Sequence, residues 1–395
     1  MSNLEKALNK INREEIVELS KQLIRIQSVT GEEKTVVLQA KRMLEDRGIQ
    51  VKLYGPEERP VLTAYTNPSA PKQLVFNGHL DTVPTANLDT WSFPPFDPQL
   101  RGNELTGRGS IDMKASCAVM IHVLSIASKM DLPLSIGVHL VPDEEKGANH
   151  GTKILIDEIK KGTLRRPDYV VIGEKSNLKL RIAERGGFSF KIRFRGRATH
   201  TAYARTEGIN AIAKAAKGIL ALEKPIDKWH PWIGAPVLSV NAVTAGTAGN
   251  QVPDECTISI DRRVIPGETP ETVTAEVKAT LDEVGMGDPD WSWEIIPTRD
   301  SSGNISWSPA NYTELDSDLG RAFQKAIKSA LNKEPELFVE WAGGTDGAQY
   351  RRAGIQTIGF GPKGEHMHGP NELVYVDSLV DEARVYLALA QTLAA

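Results

Sequence analysis

Two hydrophobic periods run through this chain of 395 residues, and they change with position. Ile16, Val17, Leu19, Leu23 and Ile24 recur at helical spacing, which predicts an amphipathic helix over 13–26. A second helix is expected over 32–47, stopping near Gly48. Extended segments follow near 50–53, 61–65 and 73–76. Several short apolar runs end in glycine or in acidic residues. Leu74-Val75-Phe76 runs into Gly78, His79 and Asp81, and 134–141 runs into Asp143-Glu144-Glu145-Lys146-Gly147. The run 169–172 ends in Gly173-Glu174-Lys175-Ser176. A glycine-rich turn over 105–114 leads into a helix expected to continue through Lys129. Buried strands separated by helices predict an α/β sheet, in which ligands gather beyond the carboxyl ends of the strands.

From about Gly187 the pattern changes. Residues 188–194 alternate strictly, 208–222 is helical, and 237–243 and 256–264 are extended. A helix over 271–284, with Pro270 just before it, and an extended segment over 291–296 complete the order βαββαβ. That order predicts a small ferredoxin-like sandwich with an antiparallel sheet. The earlier style then resumes with a helix over 317–331, extended segments over 337–341 and 356–359, and a last helix from Val376. The expectation is therefore an α/β catalytic domain of residues 1–185 and 300–395, interrupted by an inserted α+β domain of residues 186–299.

Composition narrows the function. Hydrophobic residues make up 40% and charged residues 25%, as in an ordinary globular protein. A formal net charge of -4 without a long basic run argues against nucleic acid or an anionic membrane as partner. The start, Met1-Ser2-Asn3-Leu4-Glu5-Lys6, lacks the apolar core of a signal peptide, and no stretch reads as the roughly 20 apolar residues of a membrane span. Cys117 and Cys256 are the only cysteines, which suggests reduced thiols in a cytoplasmic enzyme and no thiolate metal site. Any metal must then be held by histidines and carboxylates.

Candidate ligands lie at or near the strand ends: His79, Asp112, the pair Glu144-Glu145, Glu174 and His368. Singly, each has an ordinary explanation. Asp112 before a helix suits an N-cap, and Glu144-Glu145 suits a solvated acidic turn. Jointly they allow one His and one carboxylate per ion with a carboxylate shared, the donor set of a two-metal hydrolase. One glutamate of the pair is left over as a general base. Spacing does not say which.

The motifs G-H-L-D-T-V-P (78–84), G-R-G-S-I-D-M-K (107–114), D-E-E-K-G (143–147), I-G-E-K-S (172–176) and M-H-G-P-N-E (367–372) stand in one order along the chain. G-R-A-T-H-T-A (196–202), G-N-Q-V-P (249–253) and D-R-R-V-I-P-G-E (261–268) fall within the inserted segment. With these the chain resembles, over nearly its whole length, the co-catalytic zinc hydrolases that include acetylornithine deacetylase, succinyl-diaminopimelate desuccinylase, aminoacylase and glutamate carboxypeptidase. The resemblance implies a mixed-sheet α/β/α zinc-peptidase-like domain carrying a ferredoxin-like lid or dimerisation domain. It implies two divalent ions, zinc first and cobalt or manganese as alternatives. His79 and Glu174 would hold one, Glu145 and His368 the other, and Asp112 both. Asp81 would orient His79, and Glu144 would be the general acid/base. His200 would stabilise the oxyanion, Asn250 and Arg263 would bind the substrate carboxylate, and Gly344 and Thr345 would belong to a further substrate-binding turn. A cis peptide is implied at Asp112–Met113, and a homodimer paired through the inserted domain.

Two departures stand out. Ala115-Ser116 follows D-M-K where the family often has glycine, and Lys175-Ser176 follows Glu174 where it often has Pro-Thr or Pro-Ser. The activity implied is amide hydrolysis of an N-acyl amino acid, with a carboxypeptidase or dipeptidase as the alternative. A non-catalytic binding protein is disfavoured, because every ligand and base position is filled.

Overall fold

The structure is a computed structural model that describes residues 3–299, 303–339 and 343–395. The chain divides into two compact units, one of Met1–Ile182, Tyr312–Phe338 and Thr345–Ala395, the other of Ala183–Asn311 and Val339–Gly344.

In chain order the first unit begins with α1 (Asn3–Leu8), α2 (Arg13–Ile24) and α3 (Lys34–Glu45). Asn12 caps α2, its side chain accepting the Glu15 N–H at 2.9 Å, and Glu14 and Glu15 sit favourably in the first turn. Strands β1 (Val51–Tyr54), β2 (Val61–Thr66) and β3 (Lys72–His79) precede α4 (Ala115–Ala127), β4 (Leu134–Val141), α5 (Thr152–Lys161) and β5 (Tyr169–Ile172). The second unit contains β6 (Gly186–Arg195), α6 (Ala211–Leu222), β7 (Val237–Ala245), β8 (Glu255–Val264), α7 (Pro270–Val284) and β9 (Ser292–Pro297). The first unit then resumes with α8 (Asp318–Leu331), α9 (Gly347–Arg352), β10 (Gln356–Gly359) and α10 (Val376–Ala394).

The main sheet of the first unit runs β1-β2-β4-β3-β5-β10. The β1–β2 and β2–β4 pairs are antiparallel; β3 is parallel to β4 and to β5, and β5 to β10. Seven consecutive residues of β3 and all of β4 are buried, the signature of strands covered on both faces. Register matters most for function. His79 pairs with Val141 and Asn77 with Ile172, so β3, β4 and β5 end together. The turns that follow them therefore emerge side by side.

Every residue of α4 is buried, against the usual one-sided pattern. The segment Ser110–Ala127 is in fact long and apolar enough by composition to cross a membrane, which the sequence pattern did not suggest, but 94% of it is buried as the core of this unit.

The second unit is the expected βαββαβ sandwich, with sheet order β7-β8-β6-β9 and every pair antiparallel. Phe188, Phe190, Ile192 and Phe194 alternate inward along β6, and meet Val273, Val277 and Leu281 of α7. The first helix starts at Ala211 and not near Gly208, because the Asn210 side chain caps the N–H groups of Ile212 and Ala213. Thr269 and Thr272 form a reciprocal capping box at α7, with Pro270 in its first turn. Residues 303–311 and 343–344 group with this unit and not with the first as the sequence pattern suggested, since Trp307 and Ser308 pair with Phe188 and Gly187 of β6. The extended segment expected over 337–341 lies partly outside the described residues.

Candidate metal centre

His79 is the last residue of β3, and its ring is buried. Nδ1 lies 3.0 Å from the Asp81 carbonyl oxygen, which can only accept, so Nδ1 carries the hydrogen in the neutral ring. The lone pair of Nε2 then faces Asp112 Oδ1 at 3.0 Å and Glu174 Oε1 at 3.8 Å. The other oxygen of Asp112, Oδ2, lies 2.8 Å from His368 Nε2, and Glu145 Oε1 lies 3.1 Å from the same nitrogen. One buried aspartate thus stands between two imidazoles, and each imidazole has its own glutamate. Ligand atoms of His79, Glu144 and Glu174 lie within 4.8 Å of one another, as do those of His79, Asp112 and Glu145.

The turns carrying these groups have unusual backbones. The Asp112–Met113 peptide is cis, as the resemblance implied. Asp143 and His368 have left-handed φ angles of 69° and 63°. His366 shares that conformation, but its exposed ring lies 3.8 Å from Glu365.

Electrostatics separate the carboxyl groups. Burial works against ionisation of Asp112, but hydrogen bonds from His368 and His79 outweigh it and hold the carboxyl well below the usual range. Burial and the Asp112 charge push Glu174 up to about 8. Burial and the Glu174 charge push Glu144 well above the ordinary carboxylate range. Hydrogen bonds to Asp112 and Glu145 raise His368 to about 10, and hydrogen bonds with Asp112 and Asp81 overcome burial to raise His79. So much negative charge in a buried space calls for cations in addition to the two rings. Imidazole nitrogen and carboxylate oxygen without thiolate suit zinc, cobalt or manganese. The Cys117 thiol is no ligand: it donates to the His79 carbonyl at 3.2 Å. The residues present fit two divalent ions.

Asp81 does more than the orienting of His79 that the resemblance implied. Its carbonyl takes the ring hydrogen bond, while its carboxylate Oδ1 stands 3.5 Å from Nδ1. That carboxylate also accepts the Glu144 and Glu145 N–H groups at 3.2 and 3.3 Å, and the Thr30 hydroxyl at 2.8 Å. Two supports went unnoticed in the sequence. Glu372 Oε1 accepts the Ile111 and Asp112 N–H groups, and its Oε2 accepts from Arg108 Nη1 at 2.5 Å. Arg108 Nη2 in turn donates to the His368 carbonyl at 3.1 Å, so this fully buried pair joins the Asp112 turn to the His368 turn. The signal for Glu372 was its place at the end of M-H-G-P-N-E; Arg108 had none beyond lying in a glycine-rich motif.

In the second unit, the short pairing of Thr199 and His200 with Val252 and Gln251 brings His200 and Asn250 together. His200 is exposed, its Nδ1 accepting the Ala202 N–H, and Asn250 accepts the Thr201 N–H on its carbonyl. Arg263 is exposed and pairs with Asp261 at 2.7 Å, while Arg262 points inward to Glu268 and Glu276. Gly344 is exposed, with open space where a side chain would begin. Thr345 is buried, its hydroxyl accepting the Gly347 N–H at 3.1 Å.

Residues 75–392 match peptidase family M20/M25/M40. A succinyl-diaminopimelate desuccinylase of Polynucleobacter necessarius is 32% identical over 326 residues, covering 80% of this chain and 80% of that protein. The fold is similar to that of aminopeptidase PepT from Bacillus cereus, at TM-score 0.76 and 19% identity, covering 98% of this chain and 100% of that one. It is also similar to a dinuclear metal binding peptidase from Bacillus subtilis, at TM-score 0.70 and 17% identity, covering 96% and 97%.

Proposed function

This chain belongs to peptidase family M20/M25/M40, a family of hydrolases acting on C–N bonds, and from that premise we propose that it removes the acyl group from an N-acyl amino acid or a similar carboxylate-bearing substrate. The observation that carries the proposal is the Asp112 carboxylate set between His79 and His368, with Glu174 and Glu145 flanking them. His79 and Glu174 would hold one ion, His368 and Glu145 the other, and Asp112 both. Such a pair of ions polarises the scissile carbonyl and lowers the pKa of the attacking water.

The remaining work falls to the protein. By resemblance we assign to Glu144 the acid/base role, its carboxylate taking a proton from the attacking water and passing it to the leaving amine. Asp81 holds the backbone of Glu144 and Glu145 and the ring of His79. By resemblance we assign oxyanion stabilisation to His200 and carboxylate recognition to Asn250 and Arg263, where a guanidinium fork suits the geometry. Gly344 and Thr345 are assigned to a substrate-binding turn on the same ground.

A desuccinylase among the relatives favours a dicarboxylic acyl group such as succinyl, and a carboxypeptidase or dipeptidase activity is the alternative. The test combines metal content by mass spectrometry with hydrolysis of N-succinyl and N-acetyl amino acids and of dipeptides. Turnover of the acyl amino acids with two metals per chain is the expected result. Preference for dipeptides would move the assignment to the alternative, and no turnover by a metal-loaded protein would overturn both.

A further inference from the structure

Glu144 and Glu145 stand on a single turn of 3-10 helix, Glu144–Lys146, outside any strand or longer helix. Its backbone bonds are few and local: the Gly147 N–H donates to the Glu144 carbonyl at 2.9 Å and the Ala148 N–H to the Asp143 carbonyl at 2.7 Å. From one side it is held by Asp81, through the two rather long bonds to the Glu144 and Glu145 N–H groups. Its other side is held by Arg59, from the loop between β1 and β2. Arg59 Nη2 donates to Asp143 Oδ1 at 2.7 Å and to Glu33 Oε1 at 2.6 Å, and Nε donates to Glu33 Oε2 at 3.1 Å. Nη1 donates to His150 Nδ1 at 3.0 Å. Glu33 is fully buried and also accepts the Gly31 N–H at 2.8 Å, so the guanidinium is fastened at its far end. The second oxygen of Asp143 accepts the His150 N–H at 2.8 Å.

We infer that Arg59 is a positioning residue: by tying Asp143 to Glu33 it sets where Glu144 and Glu145 stand. Asp143 directly precedes the two glutamates and holds a left-handed φ of 69°, a conformation uncommon outside glycine that aspartate adopts more readily than most residues. On the carboxylate side Arg59 holds one Asp143 oxygen and the His150 N–H the other. Without the guanidinium, two buried carboxylates would lose their shared partner, and Asp143 would turn toward water. The turn would follow it. Displacements of about 1 Å in a catalytic group can cost on the order of 10²-fold in rate. The Lys146 bond to the Thr30 carbonyl, at 3.3 Å, is too peripheral to replace the clamp.

This inference rests on the dimetal hydrolase assigned above. Its test uses the full chain as wild type, Arg59→Met, Arg59→Lys, Asp143→Asn and the Arg59→Met/Asp143→Asn double variant. Zinc affinity of metal-stripped protein is measured by chelator competition, kcat and KM on the best substrate of the panel, and Tm by calorimetry. The expected result for Arg59→Met, well below its own Tm, is a fall in kcat of at least ~10-fold with KM changed less than about 3-fold. One of the two zinc affinities should fall by a similar factor, since Glu145 is displaced with Glu144. Arg59→Lys should recover part of both losses, and the double variant should be no worse than the worse single one. Should Arg59→Met not fold, Arg59→Lys and Asp143→Asn provide the same comparison. A lowered Tm with unchanged kcat and zinc affinities, or additive losses in the double variant, overturns the positioning role. A wild type that binds no zinc pair and hydrolyses nothing overturns the underlying assignment instead, and this inference with it.

Discussion

His366 and His368 share one turn and one backbone conformation, yet only His368 reaches the carboxylates, at 2.8 Å from Asp112 and 3.1 Å from Glu145. His368→Ala should therefore remove about one metal per chain, while His366→Ala should leave the content unchanged; metal analysis of both variants decides. Equal loss from both would contradict the geometry. The neighbouring glutamates divide in a similar way. Glu145 touches His368, whereas Glu144 groups with His79 and Glu174. Glu144→Gln is expected to keep both metals and lose at least ~10²-fold in kcat, the usual scale of acid/base catalysis. Glu145→Gln should instead bind the second metal poorly. Metal loss from the first variant and retention by the second would exchange the two roles.

Between elements, α4 and α10 meet around a buried carboxyl. Glu382 of α10 accepts the Ser116 hydroxyl, and burial pushes its carboxyl up to about 8. The fold therefore favours the neutral acid. Stability is fully present below the ordinary carboxylate pKa near 4.5 and falls as the pH rises toward about 8, where the buried group must ionise. Glu382→Gln keeps a neutral polar group at every pH. Its Tm relative to wild type should rise between pH 5 and about pH 8.5. Other raised carboxyls, such as Glu174 and Glu372, are common to both proteins and cancel in the difference. A Tm difference that stays flat across this range would show that Glu382 does not titrate there. In the second unit, α6 approaches its sheet at Gly218, where an added Cβ would lie 2.6 Å from Phe194 Cζ. Gly218→Val should destabilise by about 1–3 kcal/mol, the scale of overpacking, because Phe194 is fully buried and cannot move aside. Denaturant melting of the variant reads that loss directly.

For the whole molecule, metal and assembly are the large-scale questions. Carboxylates crowded around Asp112 repel one another without a cation, so stripping the metal with a chelator should lower Tm, and zinc should restore it. A ligand present at ~1,000 times its Kd stabilises by about 4 kcal/mol, enough for a shift of several degrees. A Tm indifferent to chelator would argue that these residues bind no metal tightly. We also expect a homodimer. The second unit exposes Leu220 (74%) and Ile212 (44%) on α6, and Val237 (46%) and Val243 (54%) on β7, an edge strand of its sheet. Sedimentation should give twice the chain mass, and Leu220→Glu should shift the population toward the monomer. A wild-type monomer would leave those residues as ordinary surface.

Much of this arrangement was legible from residue order. The apolar runs ending at Gly78, Asp143 and Gly173 marked strands whose ends carry ligands, and the strict alternation of 188–194 marked the second unit. Local period and turn chemistry decide such features, since they depend on residues a few positions apart. His79, Asp112, Glu174 and His368 could be named for the same reason, with family motifs adding the residues that spacing left open. The clamps were not legible. Arg59 meets Asp143 across 84 positions, and Arg108 meets Glu372 across 264. No periodicity links residues so far apart. Their meeting depends on the register that ends β3, β4 and β5 together and on the left-handed turns at Asp143 and His368. Beyond those strands the structure sets Glu145 3.1 Å from His368. Sequence by itself determined which residues could hold metal and that an α+β segment interrupts the first unit. Only the tertiary structure decided which of those residues meet and what holds them there, because ion pairs and backbone hydrogen bonds act over a few ångströms of space whatever their separation along the chain.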